Sequence, residues 1–332
     1  MASDFGTVFM PEMTVARYAD GAWSGISMEP SDSISMHPGA HVLHYASTCF
    51  EGLKGFRHED DSVNIFRMKK NVARFQQSSQ LLHLPPVDAE MASQMIIDVV
   101  AKFKADVPMP PSSAYLRPTH IGLEPAIGKA AAPSATSLMY VLLSPVGDYF
   151  TGGEVCLRLL LDDKGARCGH DHGMVKGGGN YASALKHILA AKEKHNADQV
   201  LFCPDGAAQE TGAANFIVID GDEVITKALD ESFLHGVTRD SILTLAKDCQ
   251  MKVSERDITI EELIDRAANP ECEAGLAGTA AVLTAVGTYI HDGKEVAVGS
   301  GKPGPKIRQL REELNAIQWG HSEDRHGWLT RL

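Results

Sequence analysis

The segment 174–181 (MVKGGGNY) places a lysine directly before three consecutive glycines. Glycine costs backbone entropy, so such a run is expected where the chain approaches another group closely or adopts a positive φ. A Walker phosphate loop needs its lysine after the glycines and a Ser or Thr next to it, and the order here is the reverse. From this segment alone, Lys176 is either a nucleophile beside a ligand or a solvated loop lysine.

Other groups of aromatic, charged and hydroxyl residues are spread along the chain. They are His44-Tyr45, 50–54 (FEGLK), 115–118 (YLRP), 121–125 (IGLEP), 210–215 (ETGAAN), 236–239 (GVTR) and 278–280 (GTA). In this order, together with the segment at Lys176, they resemble the branched-chain amino acid aminotransferases, which are fold-type IV enzymes that use pyridoxal 5'-phosphate (PLP). The resemblance runs from about Phe5 to Trp328, and several modest motifs in one register make it specific.

The resemblance implies which residues bind the cofactor. Lys176 would hold PLP as a Schiff base and then move the substrate proton, for which a desolvated pocket favours the neutral amine. Glu210 would keep the pyridine nitrogen protonated, which makes the ring an electron sink. Tyr181 would form a hydrogen bond with the 3-oxygen of the ring. The residues implied for the phosphate are Arg74, Val237, Thr238 and Thr279. Without the resemblance, Arg74 is expected on the surface and Tyr181 as a structural residue.

The resemblance also implies an active site that accepts two kinds of substrate. Tyr115 and Arg117 lie two apart on a predicted strand and therefore share a face. Arg117 would receive the distal carboxylate of glutamate, and the backbone amides of Thr279 and Ala280 would receive the α-carboxylate. The residues implied for the apolar wall are Phe5, Tyr45 and Phe50, and Tyr149 is implied as a lid over the site. The implied reaction is transamination of leucine, isoleucine or valine with 2-oxoglutarate.

Two segments depart from the family pattern. Mammalian members carry Cys-x-x-Cys after the Gly-Thr-Ala turn, where this chain has 281–284 (AVLT), so a thiol switch is not expected there. The segment 167–173 (RCGHDHG) is also unlike its family counterpart. Cys168, His170 and His172 could suggest a metal site, but no fourth ligand is near in sequence. We interpret them as solvated loop residues and expect no metal.

The elements that must position these residues fall on either side of a glycine-rich stretch. Before it, short β-prone runs alternate with an amphipathic helix at 88–105. The glycine-rich stretch 147–153 (GDYFTGG) interrupts all periodicity. The strands predicted before it are 41–46, 63–67, 113–119 and 137–144.

After that stretch the patterns predict a strand at 155–161, a helix near 183–195 and a meander of three strands (VLFC, NFIVI and EVITK). Helices should begin at Thr238 and after a capping box at Thr259, and a last helix carries Ile307 and Ile317. The expected fold class is α+β with two domains, D-amino acid aminotransferase-like: a small α+β N-terminal domain and a larger mixed α/β barrel-like domain. The boundaries are 1–146, an interdomain loop at 147–154, and 155–332.

Composition restricts the partners. The formal net charge of -12 argues against a nucleic acid, because such binding needs an excess of Lys and Arg on one face. The sequence shows neither a basic segment followed by an apolar run at its start nor an apolar run of about 18 residues. This favours a cytoplasmic protein that does not associate with a membrane. The six cysteines lack paired spacing and are expected as free thiols. A homodimer is implied by the resemblance alone.

Two other functions remain open at the level of sequence. A D-amino acid aminotransferase or an aminodeoxychorismate lyase would share the fold, the lysine and the glutamate, although the 50–54 and 115–118 motifs favour the branched-chain enzymes. A non-catalytic module that binds a phosphate ligand through the glycine loop is the alternative from another class. A visible absorption band from covalently bound cofactor would exclude that module.

Overall fold

The computed structural model describes residues 5–148 and 156–332, which form two compact units. Within the described ranges, the first unit comprises 5–148, 175–178 and 317–332, and the second comprises 156–174 and 179–316. The domain boundaries given above stay a prediction. They differ from this division at two short segments, 175–178 and 317–332, which make their contacts with the first unit because each lies against one of its strands.

The helices and strands follow in chain order. The first part contains β1 Glu12–Ala19, β2 Ala22–Trp23, β3 Ser27–Pro30, α1 His41–Tyr45, β4 Thr48–Phe50, β5 Leu53–Arg57, β6 Val63–Phe66, α2 Met68–Leu81, α3 Ala89–Lys102, β7 Ser113–Gly122 and β8 Ser137–Val146. The rest contains β9 Leu157–Asp162, α4 Gly178–His195, β10 Gln199–Phe202, β11 Asn215–Asp220, β12 Glu223–Thr226, α5 Val237–Asp248, β13 Lys252–Glu255, α6 Ile260–Ala267, β14 Glu273–Gly278, β15 Val282–His291, β16 Lys294–Ala297, α7 Pro305–Gln318 and β17 Leu329–Arg331.

The first unit is built on an antiparallel sheet. Among the described residues its strand order is β17-β6-β5-β7-β8-β1-β2, with β3 on β1 and β4 on β7. Helix α3 packs on this sheet through Met95, Ile96 and Val99, which are buried, and its N-cap Asp88 accepts a hydrogen bond from the Met91 N–H. The amphipathic helix predicted at 88–105 is therefore confirmed.

The strand predicted at 41–46 is wrong, because these residues form the short helix α1. The helix starts where the His41 N–H donates to the Glu124 carbonyl at 2.9 Å and ends at Ala46 in the left-handed region, φ 51°. The His41 ring is also fixed by the Ser47 hydroxyl at 2.9 Å. These tertiary contacts outweigh the weak β propensity of the run.

The second unit is built on a mixed sheet. Its order, among the described residues, is β10-β9-β15-β14-β11-β12-β13, with β16 on β15. Strand β9 pairs parallel with both β10 and β15, whereas β14 pairs antiparallel with its two neighbours. The three strands predicted as a meander are present as β10, β11 and β12, but the meander itself is wrong, because β10 pairs parallel with β9 and only β11 and β12 pair with each other. The predicted cap of α6 is also present, since the Thr259 hydroxyl accepts from the Glu262 N–H.

Helix α4 begins earlier than the sequence indicates, at Gly178 instead of near 183. Glycine is a poor helix former, so the sequence pattern predicts the helix only after the glycine run. The first turn is held by the Asn180 side chain, whose amide donates to the His172 carbonyl at 2.7 Å. No helix in the described ranges is long and apolar enough to cross a bilayer.

Candidate active site

Lys176 lies in the first unit against β4. Its carbonyl accepts a hydrogen bond from the Phe50 N–H at 2.9 Å, and Gly177 forms a β-bridge with Cys49. Its own N–H donates to the Ser78 hydroxyl at 3.0 Å. The side-chain Nζ lies 5.4 Å from the centroid of the Phe50 ring. Lys176 is half-buried and its backbone is held by two elements, so it is not a solvated loop lysine; its role as the reacting group stays a prediction.

A cavity of about 350 Å³ opens beside Phe50 in the same unit. Tyr115 and Arg117 both line it, which confirms that they share a face. The Arg117 guanidinium lies 4.5 Å from the Phe50 ring centroid and donates to the Tyr115 hydroxyl at 3.0 Å. Phe5 packs edge-on against Tyr115 at 5.0 Å. The remaining lining residues are Gly6, Phe9, Thr119, Tyr140, Leu142 and Ser144.

The pocket motif 50–54 contains two more residues that shape this region. A Cβ on Gly52 would lie 2.1 Å from the Tyr115 hydroxyl, so only glycine allows the tyrosine its position. Lys54 is buried opposite Tyr115 in the strand pair, with its Nζ 5.9 Å from the Phe5 ring centroid. Burial lowers the pKa of the Lys54 ammonium to about 8, against the opposing field of Asp148.

Arg74 is buried in α2, whereas its residue type alone predicts an exposed side chain. Its Nε and Nη2 donate to the two carboxylate oxygens of Glu51 at 2.7 and 2.9 Å. Glu51 is itself 1% exposed. The bidentate geometry orients the guanidinium firmly, because planar donors and planar acceptors match. The sequence did not single out Glu51, although it stands inside the 50–54 motif.

Among the described residues of the first unit, one predicted substrate residue does not line this cavity. Tyr45 does not line it; its hydroxyl donates to the Ile127 carbonyl, and its ring lies 4.8 Å from that of His41. Tyr149 lies outside the described residues. The roles suggested for both remain predictions.

Glu210 is buried in the second unit and paired with Arg167. Arg167 Nε lies 2.7 Å from Glu210 Oε1, and the Leu234 N–H donates to the same oxygen at 2.8 Å. Arg167 also donates to the Gly173 carbonyl at 2.8 Å, which closes the loop 167–173 on itself. His170 and His172 of this loop are exposed, as expected, and Cys168 is half-buried, whereas Arg167, for which no role was predicted, is 3% exposed. A guanidinium at this distance favours the ionised carboxylate.

The N-terminus of α5 lies next to this pair in the second unit. The N-cap Gly236 makes no side-chain cap, so the first amides of the helix are available to an anion. A Cβ on Gly236 would lie 1.8 Å from Asn215 Oδ1, so glycine is required there. The Asn215 amide in turn donates to the Leu234 carbonyl at 2.8 Å. Val237 and Thr238, both buried, are the first residues of the helix.

The remaining predicted residues of the second unit are partly accessible to solvent. Thr279 and Ala280 are half-buried in the turn that joins β14 to β15. This turn follows Gly278, on which a Cβ would lie 3.6 Å from the Ala214 side chain, next to the start of β11. Tyr181 is half-buried in the first turn of α4. The phosphate and ring contacts suggested for these residues remain predictions.

The comparison with known proteins assigns this chain and its fold to a class of enzyme. Residues 48–274 match the family "amino-transferase class IV". Because this match spans most of the chain, the protein belongs to the class IV aminotransferases, and within them to the branched-chain amino acid aminotransferases that its relatives represent. The predictions of family, enzyme class and fold type are confirmed.

The relatives are similar over nearly their whole length. Branched-chain-amino-acid aminotransferase 2 of Bacillus subtilis is 36% identical over 99% of this chain and 92% of its own length. The Haemophilus influenzae enzyme is 36% identical over 96% and 94%. A crystal structure of the T.th. branched-chain amino acid aminotransferase with pyridoxamine 5'-phosphate superposes with a TM-score of 0.78 at 26% identity, covering 96% and 97% of the chains. That enzyme was also solved with 4-methylvaleric acid and with N-(5'-phosphopyridoxyl)-L-glutamate.

The described residues fit a pyridoxal phosphate group. The uncapped start of α5, where a side chain on Gly236 has no room, suits a phosphate. The buried carboxylate of Glu210, which Arg167 orients, suits a protonated pyridine nitrogen, because a carboxylate stabilises a neighbouring cation. Lys176 provides a primary amine. These donor and acceptor types match the three parts of the cofactor.

Arg167→Met should lower the free energy of unfolding of the cofactor-free protein by about 3–5 kcal/mol, because the buried Glu210 carboxylate would lose its ion-pair partner. The double variant Arg167→Met/Glu210→Gln should recover at least half of that loss, since no uncompensated charge stays buried. Urea denaturation of the wild type, the two single variants Arg167→Met and Glu210→Gln, and the double variant measures this. A loss in the double variant equal to the sum of the two single losses would show that the two side chains are not energetically coupled.

Proposed function

We propose that this chain transfers the amino group of branched-chain L-amino acids to 2-oxoglutarate, with PLP bound through Lys176. The observation that carries the proposal is the cavity beside Lys176. Its wall is mainly aromatic and apolar, with the hydroxyl residues Thr119 and Ser144 and with Arg117 as its charged side chain among the described lining residues. An aliphatic side chain is stabilised by burial against such a wall. A second substrate with a distal carboxylate needs a cation in the same place, and Arg117 supplies it.

Each proposed role follows from a group on this chain. When bound, PLP supplies a ring that accepts the electron pair left at the substrate Cα. Lys176 would take the proton from that Cα, because its amine lies beside the cavity at the Phe50 ring. Glu210, charged and oriented by Arg167, would hold the proton on the pyridine nitrogen. Tyr181 would orient the ring through its 3-oxygen.

The phosphate and the substrate α-carboxylate would be bound mainly by backbone amides. The first amides of α5, at Val237 and Thr238, would bind the phosphate together with Arg74 and the Thr279 hydroxyl. The amides of Thr279 and Ala280 would receive the α-carboxylate. The wall around the substrate side chain would be formed by Phe5, Tyr45, Phe50 and Tyr115, with Tyr149 as a lid over the site.

A panel of half-reactions tests this function. The purified protein with PLP should show a visible band that L-leucine and L-glutamate both abolish, while D-alanine leaves it unchanged. Bleaching by D-alanine instead would indicate a D-amino acid aminotransferase. A band that responds only to 4-amino-4-deoxychorismate, with release of pyruvate, would indicate the lyase. Absence of any visible band with added PLP would contradict the proposal and favour a non-catalytic binding module.

We also propose a homodimer in the cytoplasm. The dimer is suggested by the family, and the acidic net charge of -12 is compatible with small anionic and zwitterionic substrates at specific cationic sites rather than with a nucleic acid. Sedimentation of the purified protein at several concentrations measures the oligomeric state. A monomer at all concentrations would contradict this part of the proposal.

A further inference from the structure

Both backbone groups of Lys176 are held, one by a strand and the other by a helix. The Phe50 N–H donates to the Lys176 carbonyl at 2.9 Å. The Lys176 N–H donates to the Ser78 Oγ at 3.0 Å, and Ser78 is completely buried in α2. Because the peptide groups on both sides of the Lys176 Cα are fixed, the direction in which its side chain leaves the backbone is fixed as well.

The position of the Ser78 hydroxyl is itself determined by a second contact of α2. One turn earlier, Arg74 binds both carboxylate oxygens of Glu51 at 2.7 and 2.9 Å. Residues four apart on a helix project from the same face. Glu51 directly follows β4, the strand that the segment at Lys176 bridges. The ion pair and the hydroxyl therefore hold α2 next to β4 and to the segment at Lys176.

We propose that Ser78 is a positioning residue for Lys176. Its hydroxyl accepts a hydrogen bond from the Lys176 backbone N–H and thereby orients the side-chain amine. This inference rests on the proposed function, in which that amine is the reacting group. The Lys176 Nζ lies 5.4 Å from the centroid of the Phe50 ring. A small rotation of the Lys176 backbone would move the amine relative to this ring and to the cavity beside it, and displacements of about 1 Å can cost on the order of 10² in rate.

Ser79 provides a matched control, because it is the neighbouring buried serine on the same helix and serves a different network. Its hydroxyl contacts Cys49 Sγ at 3.3 Å and His120 Nδ1 at 3.0 Å. The other ring nitrogen of His120 contacts the Ser137 hydroxyl at 2.8 Å. Burial lowers the pKa of His120 to about 3, so this ring bridges the two hydroxyls as a neutral group. Ser79→Ala thus removes as many hydrogen bonds as Ser78→Ala, or more.

Hydrogen exchange of the Lys176 amide in the cofactor-free protein tests the contact directly. We expect this amide to be protected in the wild type and to exchange about 5- to 150-fold faster in Ser78→Ala, since a buried N–H loses its acceptor. Ser79→Ala should lower the unfolding midpoint by at least as much as Ser78→Ala lowers it. It should nevertheless leave the Lys176 amide protected. Ser78→Thr, which keeps the hydroxyl, should also keep the protection. A rapidly exchanging amide in the wild type would overturn the proposal without any variant.

The loaded enzyme should show the same distinction in its kinetics. Ser78→Ala should lower kcat with L-leucine about 10- to 100-fold at a nearly unchanged KM, because an aimed amine matters to the reaction and not to substrate binding. Ser79→Ala should lower kcat much less. Equal kcat losses in the two alanine variants would show that Ser78 only supports the fold.

Failure of the inference can be told apart from failure of the function. If borohydride reduction of the holoenzyme labels a lysine other than Lys176, the proposed function is wrong for this residue, whereas the exchange result still reports on its backbone. If Lys176 is labelled but Ser78→Ala leaves both its amide exchange and kcat unchanged, the function stands and the positioning role is wrong.

Discussion

Lys176→Ala is expected to fold normally and to lose transamination by a factor on the order of 10⁴ or more, because the reacting amine is removed. The contact of the side chain with the Phe50 ring is worth about 0.5–1 kcal/mol at a partly exposed site. The hydrogen bonds of its backbone to Phe50 and Ser78 do not depend on the side chain. Single-turnover rates with L-leucine, compared with urea denaturation of the same preparation, measure both effects.

Lys54 is the matched control for this assignment, because it is the other lysine placed near the cavity. Its pKa of about 8, lowered by burial, makes it a competing nucleophile at neutral pH. Borohydride reduction followed by peptide mapping should label Lys176 in the wild type and in Lys54→Ala. Labelling of Lys54 in the wild type, or a Lys176→Ala variant that keeps a reducible covalent cofactor, would reassign the site.

Arg117→Ala is expected to lower kcat/KM for glutamate and 2-oxoglutarate by roughly 10²–10³-fold, since an unpaired carboxylate in a closed pocket costs about 3–5 kcal/mol. The half-reaction with leucine should lose much less, on the order of tenfold, through the packing of the guanidinium on Phe50. The cation is tolerated when leucine is bound because the Phe50 and Tyr115 rings and the Tyr115 hydroxyl stabilise it. Single-turnover measurements with both amino acids decide the matter.

Tyr115→Phe separates the charge of Arg117 from its orientation. This variant keeps the ring that packs against Phe5 and removes only the hydroxyl that Arg117 donates to at 3.0 Å. We expect a loss for glutamate of about 2- to 15-fold, the value of one hydrogen bond, and almost none for leucine. Equal losses for glutamate and leucine in Arg117→Ala would show that the arginine supports the pocket structurally instead of binding the carboxylate.

The local pattern of the sequence was sufficient for most elements and for one pair of site residues. Alternation along 113–119 placed Tyr115 and Arg117 on one face, and helical spacing placed Met95, Ile96 and Val99 in the core. Both patterns depend on neighbours in sequence, which is why they could be predicted. The prediction for 41–46 failed because the start of the helix His41–Tyr45 is set by the Glu124 carbonyl, which is distant in sequence.

By itself, the amino-acid sequence determined the family, the class of reaction and the lysine proposed to carry it, because short motifs such as 174–181 preserve residue types that the chemistry requires. Only the tertiary structure revealed the partners of the predicted site residues. Glu51 pairs with Arg74, Arg167 pairs with Glu210, and Ser78 accepts a hydrogen bond from the Lys176 N–H. Burial makes each partner necessary, since a buried charge or N–H is costly when unpaired. Which group satisfies it depends on how distant segments pack, and no local spacing encodes that.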